Sequence, residues 1–164
     1  MTATELTIPT LLATTIAEEI AHYGAKNLET GGFLVAPRGS TEVTGFAMAG
    51  ASGIVRRPGL FQISERALDV LFNHVDKRDL WVPCHFHSHR FEAFMSRTDA
   101  SHGINVEGFI CTIVPNFECP PSDTTDWNWW KFTDGSWYPI ASPRTREDVV
   151  HETLTFDEDG VDDR

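Results

Sequence analysis

The run Cys84-His85-Phe86-His87-Ser88-His89 constrains the fold more than any other part of this chain. Alternate side chains of a strand share a face. The spacing predicts a strand from Trp81 to His89, with Val82, Cys84, Phe86 and Ser88 on one side and His85, His87 and His89 on the other. The first side is mostly apolar and belongs in a core. The second sets three imidazoles in a row, which a core does not tolerate without partners. Ten residues beyond His89 stands Asp99, with Ser96 three residues before it. Two neutral imidazoles and one carboxylate suffice for a catalytic zinc site with one position left open for water. Ligands at i and i+2 are enough, so one of the three rings is surplus.

Ser96-Arg97-Thr98-Asp99 has a second, purely structural reading. A serine that caps a helix, with an acid three residues on reaching back to it, is a common helix start. The same geometry puts the Ser96 hydroxyl and the Asp99 carboxylate on one side of that start, where Asp99 can be a third ligand and Ser96 can stand near a reacting carbonyl. Glu29, just before Gly31-Gly32, is the third element. An acid at a helix-to-strand junction is ordinarily a solvated loop residue. Here the glycines permit close backbone approach, and hydrolysis at a zinc site needs a base that is not itself a ligand.

The chain has 164 residues and a net charge of −11. That length fits one domain that buries about 70% of its unfolded surface. We expect a body over 1–144 and an acidic tail over 145–164, where eight acids face Arg146 and Arg164. The tail reads as a solvated, frayed terminus or a docking strip for a basic partner. An acidic surface repels phosphate backbones and anionic lipid, so nucleic acid and membrane are not expected partners. The first twenty residues lack a basic start and an uninterrupted apolar stretch, so no signal peptide is expected. Three cysteines, Cys84, Cys111 and Cys119, without a CxxC pair, suggest reduced thiols and a cytoplasmic location.

Pro9 predicts a helix start, Leu12, Ile16, Ile20 and Tyr23 its apolar face, and Gly24 its stop. Strands are expected at Gly31–Val35 and Glu42–Ala49, then a flexible stretch over 50–60 before Leu60–Ile63. Ser64 caps a second helix with Ala67, Leu71 and Val75 on one face. After the histidine strand, Gly103 ends the turn opened by Ser96. A buried strand follows at Phe109–Val114. A hairpin turning at Asp134-Gly135 joins Trp127–Phe132 to Trp137–Ile140. Trp127, Trp129 and Trp130 are assigned to packing, with one of them free to line a substrate face. The fold class is α/β (α+β), a mixed curved sheet flanked by helices.

The set Glu-Thr-Gly-Gly before a strand, then His-Ser-His, then Ser-x-x-Asp resembles the JAMM (MPN+, or JAB) metallopeptidase family, from about Pro9 to Ile140. The resemblance implies His87, His89 and Asp99 as zinc ligands. It implies Glu29 as the general base toward zinc-bound water and Ser96 as the donor that steadies a tetrahedral oxyanion. His85 is then left to orient water or a ligand, and His102 is a further residue of that kind or a surface histidine. The chain departs from the family pattern in three places. Six residues rather than seven separate His89 from Ser96, Arg90 stands where proline is usual, and Gly103 cuts the helix short. Members typically cut after the C-terminal Gly-Gly of a ubiquitin-like protein, and 50–60 falls where some add a strand alongside that tail. The compact form is similar to stand-alone prokaryotic members. Some of these process ubiquitin-like proteins in defence operons, and others release cysteine from a ubiquitin-like sulfur carrier. A non-catalytic MPN scaffold and a cupin-type metal protein are the competing classes. Oligomeric state is open.

Overall fold

A computed structural model describes residues 5–147 and 150–164. A short strand, β1 (Thr7–Pro9), leads directly into α1 (Thr10–Gly24). Pro9 stands one place earlier than a first helical position, in extended backbone at the N-cap. Gly24 closes the last turn of α1 for a different reason from a left-handed stop. A Cβ there would lie 1.9 Å from the Phe117 carbonyl oxygen, so only glycine lets that backbone pack against the helix.

The next strands are β2 (Gly31–Pro37), β3 (Gly45–Ala49), β4 (Ile54–Arg57) and β5 (Leu60–Ile63), followed by α2 (Glu65–Lys77) and β6 (Leu80–Ser88). Then come α3 (Arg97–His102), β7 (Ile110–Val114), β8 (Asn128–Thr133), β9 (Ser136–Ile140), β10 (Arg144–Arg146), β11 (Glu152–Asp157) and β12 (Gly160–Asp163). Eight strands form one mixed sheet in the order β12-β11-β3-β2-β6-β7-β8-β9. The expected mixed sheet with helices packed on it is therefore what the chain forms. One core lies between the sheet and α1, with Leu12, Ile16 and Ile20 against Leu34, Phe46, Cys84 and Phe86. The other lies under α2, with Ala67, Leu71 and Val75 against Phe33, Val35, Ala47 and Phe156. Ser64 caps α2 by accepting from the Ala67 N–H at 3.1 Å.

Three expectations need correction. Val82 does not share a face with Cys84. It packs with the α2-side core, whereas Cys84 and Phe86 belong to the α1 side. The β2–β6 register shifts between Leu34 and Ala36, paired with Cys84 and Trp81. One residue of β2, Val35, is thus opposed by two of β6, Val82 and Pro83. A proline lacks the N–H that the ladder needs and marks such a bulge. Beyond it the alternation resumes, and His85, His87 and His89 stand on the α2 side.

The second correction concerns 145–164. The segment is no frayed tail: β11 pairs in parallel with β3, and β12 returns antiparallel along β11. Leu154 and Phe156 are buried, while Thr153 and Thr155 alternate with them. That alternation lies hidden among the acids, so charge counting passes over it. Asp148, one of the eight acids, lies outside the described residues.

The third concerns 50–60, expected to be flexible. Ile54–Arg57 and Leu60–Ile63 form an antiparallel hairpin turning at Pro58-Gly59. Arg56 ties the hairpin down near its turn. Its guanidinium donates to Thr30 Oγ1 at 3.0 Å and to the carbonyls of Ala49 and Gly50, and lies 4.1 Å from the Tyr23 ring centroid.

Phe156→Ala should lower unfolding free energy by about 3–5 kcal/mol, the range for emptying a buried aromatic site. Urea denaturation measures it, and a dispensable tail would give almost none.

Candidate metal centre

The imidazole face of β6 runs out of the α2-side core into a cleft of about 260 Å³. His85 comes first along the strand, half-buried, stacked on Phe61 and 5.0 Å, centroid to centroid, from Phe33. His87 follows, and His89 sits just past the strand end, its N–H held by the Val114 carbonyl at 2.9 Å. Gly31 lies directly opposite His87 in the ladder. A Cβ there would meet the Phe61 ring at 2.8 Å and the His87 Cα at 2.9 Å. Glycine at the first position of β2 thus lets that strand close on the β6 backbone at His87.

Asp99 arrives from the other side. Ser96 caps α3, accepting from the Asp99 N–H at 3.0 Å, and the Asp99 Oδ2 accepts from the Ser96 N–H at 2.9 Å. This is the reciprocal pair anticipated from the sequence, and it aims the carboxylate at two rings. Oδ1 is 3.1 Å from His87 Nε2, and Oδ2 is 3.2 Å from His89 Nε2. One nitrogen from each ring and one carboxylate oxygen all lie within 4.8 Å of one another.

These donors suit a divalent ion. His89 Nδ1 is 3.0 Å from the Glu92 carbonyl, which fixes the proton on Nδ1 and leaves the Nε2 lone pair free. His87 is 3% exposed, and neither of its ring nitrogens has a hydrogen-bond partner, although Nε2 is within ion-pair range of Asp99. A buried ring nitrogen without a partner is costly, and coordination would satisfy it. Two imidazoles and a carboxylate match the donor set of a zinc site with an open position.

The remaining predicted residues gather at the same cleft. Glu29 and Ser96 line it with the three histidines and Asp99. Glu29 is 7% exposed, in a turn tied to the β4–β5 hairpin by its N–H donating to the Arg57 carbonyl at 3.2 Å. Burial pushes its carboxyl up to about 7, with the His89 imidazole opposing and the Asp99 charge assisting. For Asp99 burial works in the same direction, but His87, His89 and the Ser96 contact outweigh it and hold its carboxyl well below the usual range. Burial and the neighbouring His87 push His85 down to about 3, so it is neutral. His89 is raised: burial opposes its charge, and Asp99 with Glu29 more than offsets that. The His102 side chain lies outside the described residues.

Sequence reasoning missed four parts of the cleft. Trp137 lines it, with its Nε1 donating to Asn105 Oδ1 at 3.2 Å. Trp127 and Trp129 are core residues, stacked on each other, and Trp130 packs over Cys111 and Ile113. Phe91 and Phe94 stand exposed on the loop after His89, with Phe94 edge-on to the His89 ring. Cys111 stands opposite His85, a placement set by the parallel pairing of β6 with β7. Only the paired phenylalanines carried a signal, as apolar residues inside a polar loop.

No protein-family model matches this chain, and no curated protein does. Solved structures do. A Desulfitobacterium hafniense protein, 15% identical, aligns over 88% of this chain and 94% of its own with a TM-score of 0.67. A Salinibacter ruber protein, 23% identical, aligns over 89% and 90% with a TM-score of 0.51. At such identities the likeness establishes the fold alone.

In metal-free protein, Glu29→Gln should be more stable than the parent above about pH 7. Glu29 binds a proton more tightly folded than unfolded, so its contribution falls as pH rises from 4.5 through about 7. The stability gain of the variant should therefore vanish below pH 4.5, as measured by urea titration across that range.

Proposed function

We propose that this chain is a zinc-dependent peptidase of the JAMM type, acting on the peptide or isopeptide bond after the C-terminus of a ubiquitin-like protein. The observation that carries the reading is the convergence of Glu29, His87, His89, Ser96 and Asp99, drawn from three separated segments, on one cleft. A scaffold that merely kept the fold would have no need of a buried carboxylate beside two buried imidazoles. The JAB-type sheet and the substrate class rest on the resemblance of the motifs.

His87, His89 and Asp99 would hold the zinc. When bound, it supplies Lewis acidity, which makes water acidic near neutrality and polarises a carbonyl. The other residues act around it. Glu29, held near neutrality by burial, takes a proton from water and passes it to the departing amine. Its lack of a place in the ligand set leaves it free for that transfer. Ser96 Oγ accepts from the Asp99 N–H, and among the described residues nothing accepts its hydroxyl hydrogen. That hydrogen is available to a developing oxyanion, so the interaction strengthens in the transition state. The apolar wall of Leu60, Phe61, Phe109 and Trp137 limits water around these charges.

The test uses a fluorogenic peptide ending in Gly-Gly, joined to a lysine side chain through its C-terminus. Glu29→Gln should retain about one zinc per chain by elemental analysis and lose about 10²–10⁴-fold in kcat. Undiminished cleavage would remove Glu29 from the base role. His87→Ala should lose both metal and activity; retention of both would transfer the ligand role to His85.

A further inference from the structure

One step back along β6 from the outer donors lies a second cluster. Cys111 faces His85 across the parallel β6–β7 ladder, and its Sγ lies 4.0 Å from His85 Nδ1. One donor atom each from His85, His87 and Cys111 fall within 4.8 Å of one another. His87 Nδ1 is buried and has no hydrogen-bond partner, which Asp99 does not relieve because it approaches Nε2. All three residues line the wall of the cleft, so an ion can reach them. Trp130 and Ala93 back the thiol. Cys84 belongs to the core on the opposite side of the sheet, and Cys119 is exposed elsewhere.

We propose that His85, His87 and Cys111 form a second cation site, adjacent to the first, for a thiophilic ion such as Zn2+, Cd2+ or Cu+. The donor set decides the class of ion. One sulfur and two imidazole nitrogens are soft, whereas Mg2+ and Ca2+ require oxygen. Binding breaks the Cys111 S–H bond, forms a sulfur–metal bond and releases the proton to solvent. The site needs no hydrolytic activity and stands apart from the peptidase reading, although both draw on the His87 ring.

Cadmium alone is the probe, because thiolate ligation gives an ultraviolet sulfur-to-cadmium charge-transfer band. The parent is the C119S chain, which removes the exposed thiol. Cd2+ should produce the band there, with one proton released for each thiol ligated. C111S in that background should abolish the band while far-ultraviolet circular dichroism stays unchanged. His85→Asn, which keeps the thiol, should weaken the Cd2+ affinity read from the band by about tenfold or more. Asp99→Ala, which dismantles the outer group, should leave the band in place. No band in the C119S parent, or one that survives C111S, overturns the proposal. Loss of the band in Asp99→Ala also overturns it, because the sulfur would then be serving the outer group.

Discussion

A carboxylate held between two buried imidazoles is the interaction on which this site depends. Asp99 has two jobs that one geometry satisfies. It completes the start of α3 by accepting from the Ser96 N–H, and it meets the Nε2 atoms of His87 and His89. The helix is six residues long and gains little from propensity. Its orientation comes from the capping pair and from the rings. Six residues separate His89 from Ser96, and they form the loop before it. That loop is itself pinned, with Phe91 and Glu92 carbonyls accepting from the Asn116 N–H and His89 Nδ1.

The same burial acts oppositely on the two acids. Glu29 has no cation close enough to outweigh its loss of water, and its carboxyl rises to about 7. Asp99 has two imidazoles in contact, and its carboxyl falls. Two carboxylates at one cleft are thereby separated, one fixed in charge and one able to exchange protons near neutrality. Separation of this kind marks acid–base assignments in hydrolytic sites. It follows here from which side chains touch which acid.

Much of this was legible in the sequence, and the reason is locality. The His85, His87 and His89 face follows from the pleat, the Ser96–Asp99 pair from helix capping, and the Asp134-Gly135 hairpin from its turn residues. The positions that escaped depend on pairing between distant strands. Cys111 comes to His85 only because β6 and β7 run parallel in one particular register. Trp137 reaches the cleft from β9, the far edge of the sheet, and its ring lies 3.3 Å from where a Gly103 Cβ would be. The bulge at Pro83 shows in the sequence only as a proline inside an apolar run that otherwise fits an unbroken alternation. The acidic C-terminal strands failed for a different reason. Their net charge masks the two apolar residues, Leu154 and Phe156, that hold the segment in the core.

That C-terminal pairing has a bearing on synthesis at the ribosome. β3 is bordered by β2 on one side and by β11 on the other. Its partner on the second side is translated more than a hundred positions later, as the Gly45–Glu152 pairing requires. Until it emerges, the nascent sheet carries an open border of apolar backbone, the kind of surface that recruits other chains. Once β11 docks, that border passes to β12, whose Asp162 and Asp163 discourage further strand addition. A product terminated before β11 would keep His87, His89 and Asp99 and still be prone to aggregate.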